Sequence, residues 1–227
     1  MWKNIDELNR HLVECCRCPR LVEFRQRVAL YKVKRYRDQD YWGRPVPGFG
    51  DINAELLIVG LAPGAHGSNR TGRVFTGDQS GSFLYEVLYE TGFSNKPRSL
   101  CPGDGLELRN CYVTAVVRCV PPENKPKRGE IENCMRFFDA EFSLLKNVRV
   151  VVTLGMIAFN TFVKYLKEKG MWNSGAIPRF KHGKRFFFGD RGVLITSYHP
   201  SRQNTQTGRL TKSMFLEVFL AAKEILS

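Results

Sequence analysis

The chain has 227 residues, of which 43% are apolar and 12% aromatic, proportions typical of one globular domain and not of a disordered protein. Its formal net charge is +13, which favours a nucleic acid as partner and, second, an anionic membrane surface. No apolar run is long enough to cross a membrane, and the N-terminus lacks the basic-then-apolar order of a signal peptide. We therefore expect a cytoplasmic protein in a reducing compartment.

The basic residues are spread along the chain in local clusters and are not packed in one terminal tail. Such clusters indicate either a nucleic-acid surface or an ordinary solvated face, and charge alone does not separate the two. The clusters comprise residues 25–37, 125–128, 179–185 and 202–212.

Apolar runs alternate with amphipathic segments along the chain, which indicates alternating strands and helices. The first predicted helix covers residues 5–15, with Asn4 as its N-cap and Glu7 three residues later. Further helices are predicted over residues 82–90, 129–145, 156–169 and 211–226. Four short runs, apolar on both faces as in a covered parallel sheet, are predicted strands: residues 56–60, 112–117, 148–154 and 193–197. This order predicts a single three-layer α/β/α sandwich with a central four-stranded parallel sheet, spanning residues 1–227.

Two unusual loops, residues 61–81 and 198–210, directly follow predicted strands. Since ligands of such sheets bind at the carboxyl ends of the strands, both loops should open on one face and build one site. The first loop is rich in glycine and polar residues but lacks the P-loop pattern, and a flexible surface loop is the alternative. The second begins with His199, which could equally be a packing or surface residue.

The cysteines form two pairs. Cys15 and Cys18 make a C-x-x-C turn, while Cys119 follows a predicted strand and Cys134 lies on the next predicted helix. In a reducing compartment such cysteines are more often metal ligands than disulfides. Four thiolates suit either tetrahedral zinc or an iron–sulfur cluster, and the spacing does not choose between them.

Three further cysteines fit no such pattern. Cys16 competes with Cys15 as a ligand, but its pairing with Cys18 would need the tighter C-x-C spacing. Cys101 and Cys111 are predicted to be buried, inert thiols.

Three segments carry a resemblance to a known family: GLAPGAHGSNRTGRVFTGD (residues 60–78), RCVPPENKP (118–126) and HPSRQNTQTGRLT (199–211). They resemble the family-five (type B) uracil-DNA glycosylases known from thermophilic bacteria and archaea. The resemblance implies the glycosylase α/β/α fold and hydrolysis of the bond between a deaminated base and its deoxyribose, which leaves an abasic site. It also implies a monomer in the prokaryotic cytosol or nucleoid that acts on DNA containing uracil or other deaminated bases.

The resemblance implies that the thiolate site holds a four-iron, four-sulfur (4Fe-4S) cluster. Its ligands would be Cys15, Cys18, Cys119 and Cys134. Because these cysteines come from distant parts of the chain, the cluster would link the N-terminal helix covalently to the α/β core.

The resemblance also assigns roles at the reaction site. Asp78 would hold or polarise the attacking water, although an aspartate just before a predicted helix could simply be its N-cap. His199 would donate, as a neutral imidazole, to a uracil carbonyl oxygen as negative charge accumulates there. Phe75 would be the platform on which the flipped base stacks, with a core plug at the base of the loop as the alternative.

The remaining binding residues are predicted from the same segments. Leu61 stands where many relatives in the superfamily carry a carboxylate or amide, and Ala115 where family-four enzymes carry the asparagine that reads uracil. We nominate Asn124 as base reader instead, with a turn-forming role as the alternative, and expect a broader range that includes hypoxanthine. Substrate contacts are also expected from Gly60, Leu61, Ala62, Gly64, Ser201 and Arg202.

Two other classes of protein share some of these sequence features. A non-catalytic nucleic-acid-binding protein with a structural zinc or iron–sulfur site would explain the charge and the cysteines, but not Asp78 and His199 at strand ends. A ferredoxin-like electron carrier fits neither the basic charge nor the size of the chain.

Overall fold

The computed structural model describes residues 2–172 and 175–227. Its helices are α1 (Ile5–Val13), α2 (Pro19–Leu30), α3 (Ser68–Thr71), α4 (Gln79–Glu90), α5 (Arg128–Leu144), α6 (Met156–Glu168), α7 (Arg202–Gln206) and α8 (Lys212–Leu226). Its strands are β1 (Phe49–Gly50), β2 (Leu56–Gly60), β3 (Cys111–Ala115), β4 (Val150–Leu154), β5 (Arg185–Phe188) and β6 (Gly192–Ser197). No helix within these ranges is both long and apolar enough to span a bilayer.

The sheet has the order β1-β3-β2-β4-β6-β5. The four inner strands run parallel to one another, as predicted. The predicted strand count is too low, because β1 and β5 add antiparallel edges. Neither edge strand resembles the buried runs: β1 has two residues and β5 is largely exposed. A half-covered edge strand lacks the continuous apolar pattern by which the inner strands were recognised.

Helices cover both faces of the sheet. On one face, α4 and α8 pack through Leu84, Phe215 and Phe219. On the other face, α5 and α6 pack through aromatic residues that include Phe138 and Phe162. This arrangement is the predicted three-layer sandwich.

The N-terminal helices lie outside these layers. Asn4 caps α1 as predicted, since its Oδ1 accepts a hydrogen bond of 2.9 Å from Glu7 N. Leu8 and Leu12 of α1 pack against Phe137 of α5. The helix α2 was missed because basic residues interrupt its apolar pattern; only Leu21 and Arg25 on it are buried.

Candidate active site

The loop that follows β2 folds back over the carboxyl end of the sheet. Phe75 lies against Gly60, where an added Cβ would fall 2.7 Å from the Phe75 ring. The Phe75 side chain joins the buried core, and its ring centroid is 6.0 Å from that of His199. The two loops therefore do meet at one site. Phe75 is only 8% exposed, which agrees with the core-plug alternative, and its role as a platform stays a prediction.

Phe75 has a positive φ of 50°, a backbone conformation that costs energy for a residue with a side chain. Polar side chains fix both of its flanks. Arg73 donates to Asp104 Oδ2 at 2.6 Å and to Thr76 Oγ1 at 3.1 Å, and Tyr85 donates to Val74 O at 3.1 Å. Arg73 also donates to Ser99 Oγ at 2.8 Å. We call Arg73, Thr76, Ser99 and Asp104 the Arg73 clamp, and these contacts hold the loop in the conformation that Phe75 adopts. The clamp was not predictable, because Asp104 lies far from Arg73 along the chain.

Asp78 has the capping role that was considered as an alternative. Its Oδ1 accepts from Gly81 N at 2.9 Å at the start of α4. Its Oδ2 faces Gly67, where an added Cβ would lie only 2.0 Å away, so that the loop can approach the carboxylate only with glycine there. Desolvation raises the pKa of Asp78 above its usual value, although the Gly81 amide and other groups oppose the shift. The catalytic role of this carboxylate stays a prediction.

His199 follows β6 directly and packs on the backbone of Gly155, where an added Cβ would lie 3.3 Å from His199 Cβ. Its carbonyl accepts from Asn204 Nδ2 at 2.9 Å. Burial lowers the pKa of His199 to about 4, so the imidazole is neutral at pH 7. Together with Leu61, Leu154 and neighbouring apolar side chains, His199 lines a cavity at the ends of β2, β4 and β6.

The predicted binding residues at the start of the first loop belong to the sheet or pack against the core. Gly60 pairs in register with Ala115 on β3, while Leu61 and Ala62 are half-buried against the core. Gly64 accepts at its carbonyl from Asn69 N at 3.0 Å. Of these positions, Gly60 lies against the Phe75 ring and Gly64 faces Asp78 Oδ2, where an added Cβ would lie 2.8 Å away.

The three other predicted substrate contacts are exposed or make only local hydrogen bonds. Asn124 is exposed and has a positive φ of 56°, which agrees with the alternative turn-forming role. Ser201 caps α7 through a 3.4 Å bond from Asn204 N. Arg202 is exposed and donates to Gln206 Oε1 at 3.2 Å.

The four predicted ligand cysteines line one cavity. Its open space is about 350 Å³, including the part that opens to solvent. Among the residues that the structure describes, no group of three or more Cys, His, Asp or Glu side chains is arranged to hold one metal ion. Cys16 is exposed and does not line the cavity. Cys111 is buried as predicted; the prediction for Cys101 is wrong, because it lies in an exposed loop.

The sulfur atoms of this cavity receive N–H donors. Cys119 Sγ accepts from the Arg25 guanidinium at 2.9 Å, Cys134 Sγ from Arg118 N at 3.3 Å and Cys18 Sγ from Asn133 Nδ2 at 3.6 Å. Burial raises the pKa of Cys119 to about 11, so its free thiol is protonated at pH 7. Donors on sulfur oppose that shift and favour thiolates.

The prediction that residues 25–37 form a basic surface cluster is wrong for Arg25, which is buried. It is only 3% exposed, its Nε has no hydrogen-bond partner, and no carboxylate within the described ranges pairs with it. A buried cation without a counter-charge costs several kcal/mol. The cavity is therefore suited to a negatively charged group.

Comparison with known proteins agrees with this geometry. The family model for the uracil DNA glycosylase superfamily matches residues 47–223. A type-5 uracil-DNA glycosylase of Thermus thermophilus is 53% identical over 214 residues, 94% of each chain. One from Pyrobaculum aerophilum is 44% identical over 218 residues, 96% of this chain and 91% of that protein. A type-4 enzyme of the same archaeon is 26% identical over 199 residues, 87% of this chain and 83% of that one.

The fold and the site thus define a protein of the uracil DNA glycosylase superfamily. Within it, the chain belongs to the type-5 uracil-DNA glycosylases. It is a DNA-repair hydrolase that excises uracil, and the non-catalytic alternative is wrong.

Proposed function

We propose that this enzyme acts as a monomer on uracil-containing DNA in the cytosol or nucleoid, and that it also releases other deaminated bases such as hypoxanthine. The observation that carries the proposal is the pairing of Phe75 with a neutral His199 at the carboxyl end of β2, with Asp78 three residues after Phe75 in the same loop. Each group matches a separate requirement of the reaction.

The first requirement is a place for the extruded base. Unstacking a base costs a few kcal/mol, less at a mismatch, and an aromatic platform offsets part of that cost by stacking. Phe75 offers a ring held in place by Gly60 behind it and by the Arg73 clamp beside it. The base would stack on the face of this ring that is not packed on the core.

The second requirement is stabilisation of charge. As the glycosidic bond breaks, negative charge grows on the base and positive charge on the sugar. A neutral His199 can donate one N–H to a carbonyl oxygen of the base without first taking up a proton. Asp78 supplies an anion for the sugar side, and its raised pKa makes it a better acceptor for a proton of the attacking water. The backbone N–H groups of Leu61, Ala62 and Gly64 are further candidate donors, whereas Pro63 has none.

The broader substrate range is supported by Ala115. Its position beside Gly60 carries no amide that a wrong base would leave unpaired, so discrimination there should be weak. Asn124, the nominated base reader, is exposed in a turn, so its reading of the base stays a prediction that Asn124→Ala would test by cleavage of matched duplexes. We expect Ala115→Asn to lower hypoxanthine release relative to uracil release, as measured by cleavage of matched duplexes. An unchanged ratio would exclude Ala115 from substrate choice.

We propose further that the cysteine cavity holds a 4Fe-4S cluster. Four thiols line one cavity and three of them accept N–H donors, as thiolates would; the resemblance to the family favours a 4Fe-4S cluster over zinc at such a site. The buried charge of Arg25 would balance its negative charge. The cluster would serve as a covalent link between the N-terminal arm and the core. Iron and acid-labile sulfide analysis with the visible spectrum tests this, and one zinc ion per chain would contradict it.

The catalytic proposal is tested with duplexes that carry a single uracil or hypoxanthine, each opposite guanine or adenine. After incubation with the enzyme, alkali should nick the strand at the modified position and nowhere else. Release of uracil without hypoxanthine would limit the proposal to uracil, and no release of either base would overturn it.

A further inference from the structure

The end of α2 and the segment that follows it present an unusual surface. Leu30 and Tyr31 are 72% and 73% exposed, and Val33 is 38% exposed. Adjacent exposed apolar side chains of this kind mark an interaction site more often than scattered ones do. We call residues 30–37 the α2 knuckle.

The same segment is strongly basic. It contains Lys32, Lys34, Arg35 and Arg37 and no acidic residue. Lys32 lies 3.6 Å from Asp40, and the Arg35 guanidinium stacks on the Tyr36 ring with its Cζ 4.4 Å from the ring centroid. Within the described ranges no acidic side chain pairs with Lys34, Arg35 or Arg37. Apolar side chains set between cations without acidic partners match a partner that offers both flat bases and phosphates, and match a purely apolar protein surface poorly.

The α2 knuckle is also fixed beside the reaction site. The Tyr36 ring lies under the Arg70 guanidinium, with Cζ 4.0 Å from the ring centroid. Arg70 donates to His66 O at 2.7 Å and to Gly77 O at 2.9 Å, so it ties Tyr36 to the residue just before Asp78. Tyr41 adds a second tether, its hydroxyl lying 3.0 Å from His66 Nδ1. The knuckle therefore keeps a set distance from the carboxylate.

We propose that the α2 knuckle is a second DNA contact that binds the strand beside the extruded base. Tyr31 and Leu30 pack on the exposed faces of flanking bases, and Lys34 and Arg37 contact phosphates. The contact would hold the opened duplex while Phe75 holds the base. This inference rests on the uracil-DNA glycosylase activity.

The first test is the double variant Leu30→Ala/Tyr31→Ala, compared with Ile52→Ala. Ile52 is 56% exposed, but it precedes β2 and so lies at the amino-terminal end of that strand, whereas the reaction site lies at the carboxyl end. Affinity for a fluorescent uracil-containing duplex is measured by anisotropy, and cleavage by single-turnover rate at saturating enzyme. We expect the double variant to bind about tenfold more weakly or worse, with little change in the saturating rate, and Ile52→Ala to match the unaltered enzyme.

The second test is Lys34→Gln/Arg37→Gln, which should reduce the slope of log affinity against log salt by about 2. Because all side chains involved are exposed, melting temperatures should not change. Affinities and salt slopes equal to those of the unaltered enzyme would overturn the proposal and leave the knuckle to a protein partner. Uracil release by the unaltered enzyme in the same assay keeps that outcome distinct from a failure of the glycosylase activity.

Discussion

Replacing Asp104 by alanine removes the carboxylate on which the Arg73 clamp depends. Arg73 donates to Asp104 through both terminal nitrogens, at 3.0 and 2.6 Å, and the two side chains are 7% and 11% exposed. Asp104 also accepts from the backbone amides of Leu100 and Leu106. The change would leave a buried guanidinium without its counter-charge and free one end of the loop at residues 95–106.

The expected loss follows from this burial. Breaking a buried, hydrogen-bonded ion pair by removing one partner costs about 3–5 kcal/mol. Since a domain of this kind is stable by only about 5–15 kcal/mol, Asp104→Ala should lower the urea midpoint strongly. Asp104→Asn keeps the shape and one acceptor, so its loss should be smaller. In both, the loop would relax from the positive φ at Phe75, a conformation that costs about 1–3 kcal/mol.

Urea unfolding gives the stability, and single-turnover cleavage gives the effect on the site. For Asp104→Asn at a temperature where it stays folded, we expect a slower chemical step with DNA affinity nearly unchanged, because the platform is displaced but the DNA surface is not. Asp190→Asn, in an exposed turn, is the matched control. A cleavage rate equal to that of the control would refute the idea that the clamp positions Phe75.

The pH dependence of this pair has a definite sign. Burial alone would raise the pKa of Asp104, but the Arg73 guanidinium and the amides of Leu100 and Leu106 together hold it well below its usual value. A carboxylate with a lowered folded-state pKa contributes stability that is fully present above its unfolded pKa, near 4, and is lost only as the pH falls below that value. The clamp should therefore persist across the whole neutral range.

The remaining predictions concern the reaction and the thiolate site. Asp78→Asn should keep the helix cap, DNA affinity and the melting temperature but slow turnover about 100-fold or more; an unaltered rate would leave Asp78 with capping alone. His199→Ala should slow single-turnover cleavage about 100- to 1,000-fold. Because its pKa is about 4, the imidazole of the unaltered enzyme should not limit the rate between pH 5 and 8, and a rate that follows a group of pKa near 6.5 would contradict this. Cys119→Ala should bleach and destabilise the protein, whereas the exposed-thiol control Cys101→Ala should stay coloured; equal spectra would refute the ligand set.

The central sheet was predictable because its strands are buried on both faces and therefore appear as uninterrupted apolar runs. The meeting of Phe75 and His199 followed from one further rule, that parallel strands end at the same edge. The start of α1 was also predictable, because its N-cap Asn4 accepts a hydrogen bond from a residue only three positions along the chain.

Features that depend on distant partners were not predictable. Arg25 stands among other basic residues and gives no local sign that it is buried beside Cys119. The partner of Arg73 is likewise set only by the tertiary fold. The exposed state of Cys101 depends on a loop whose conformation is fixed by Asp104. In each case the conformation is stabilised by contacts between residues far apart in the chain, and composition and periodicity do not reveal such contacts.

The two antiparallel edge strands bear on how this protein behaves at high concentration. An open sheet edge offers unpaired backbone groups to which another chain can add, and Phe187, 70% exposed on β5, would favour such an encounter. The exposed Lys184 lies just before this strand, so two copies approaching through this edge would bring like charges together, although Arg185 is paired with Glu224 at 3.6 Å. At the other edge, β1 is only two residues long and offers little to extend. Pairing of one sheet edge with another is therefore disfavoured at both β1 and β5.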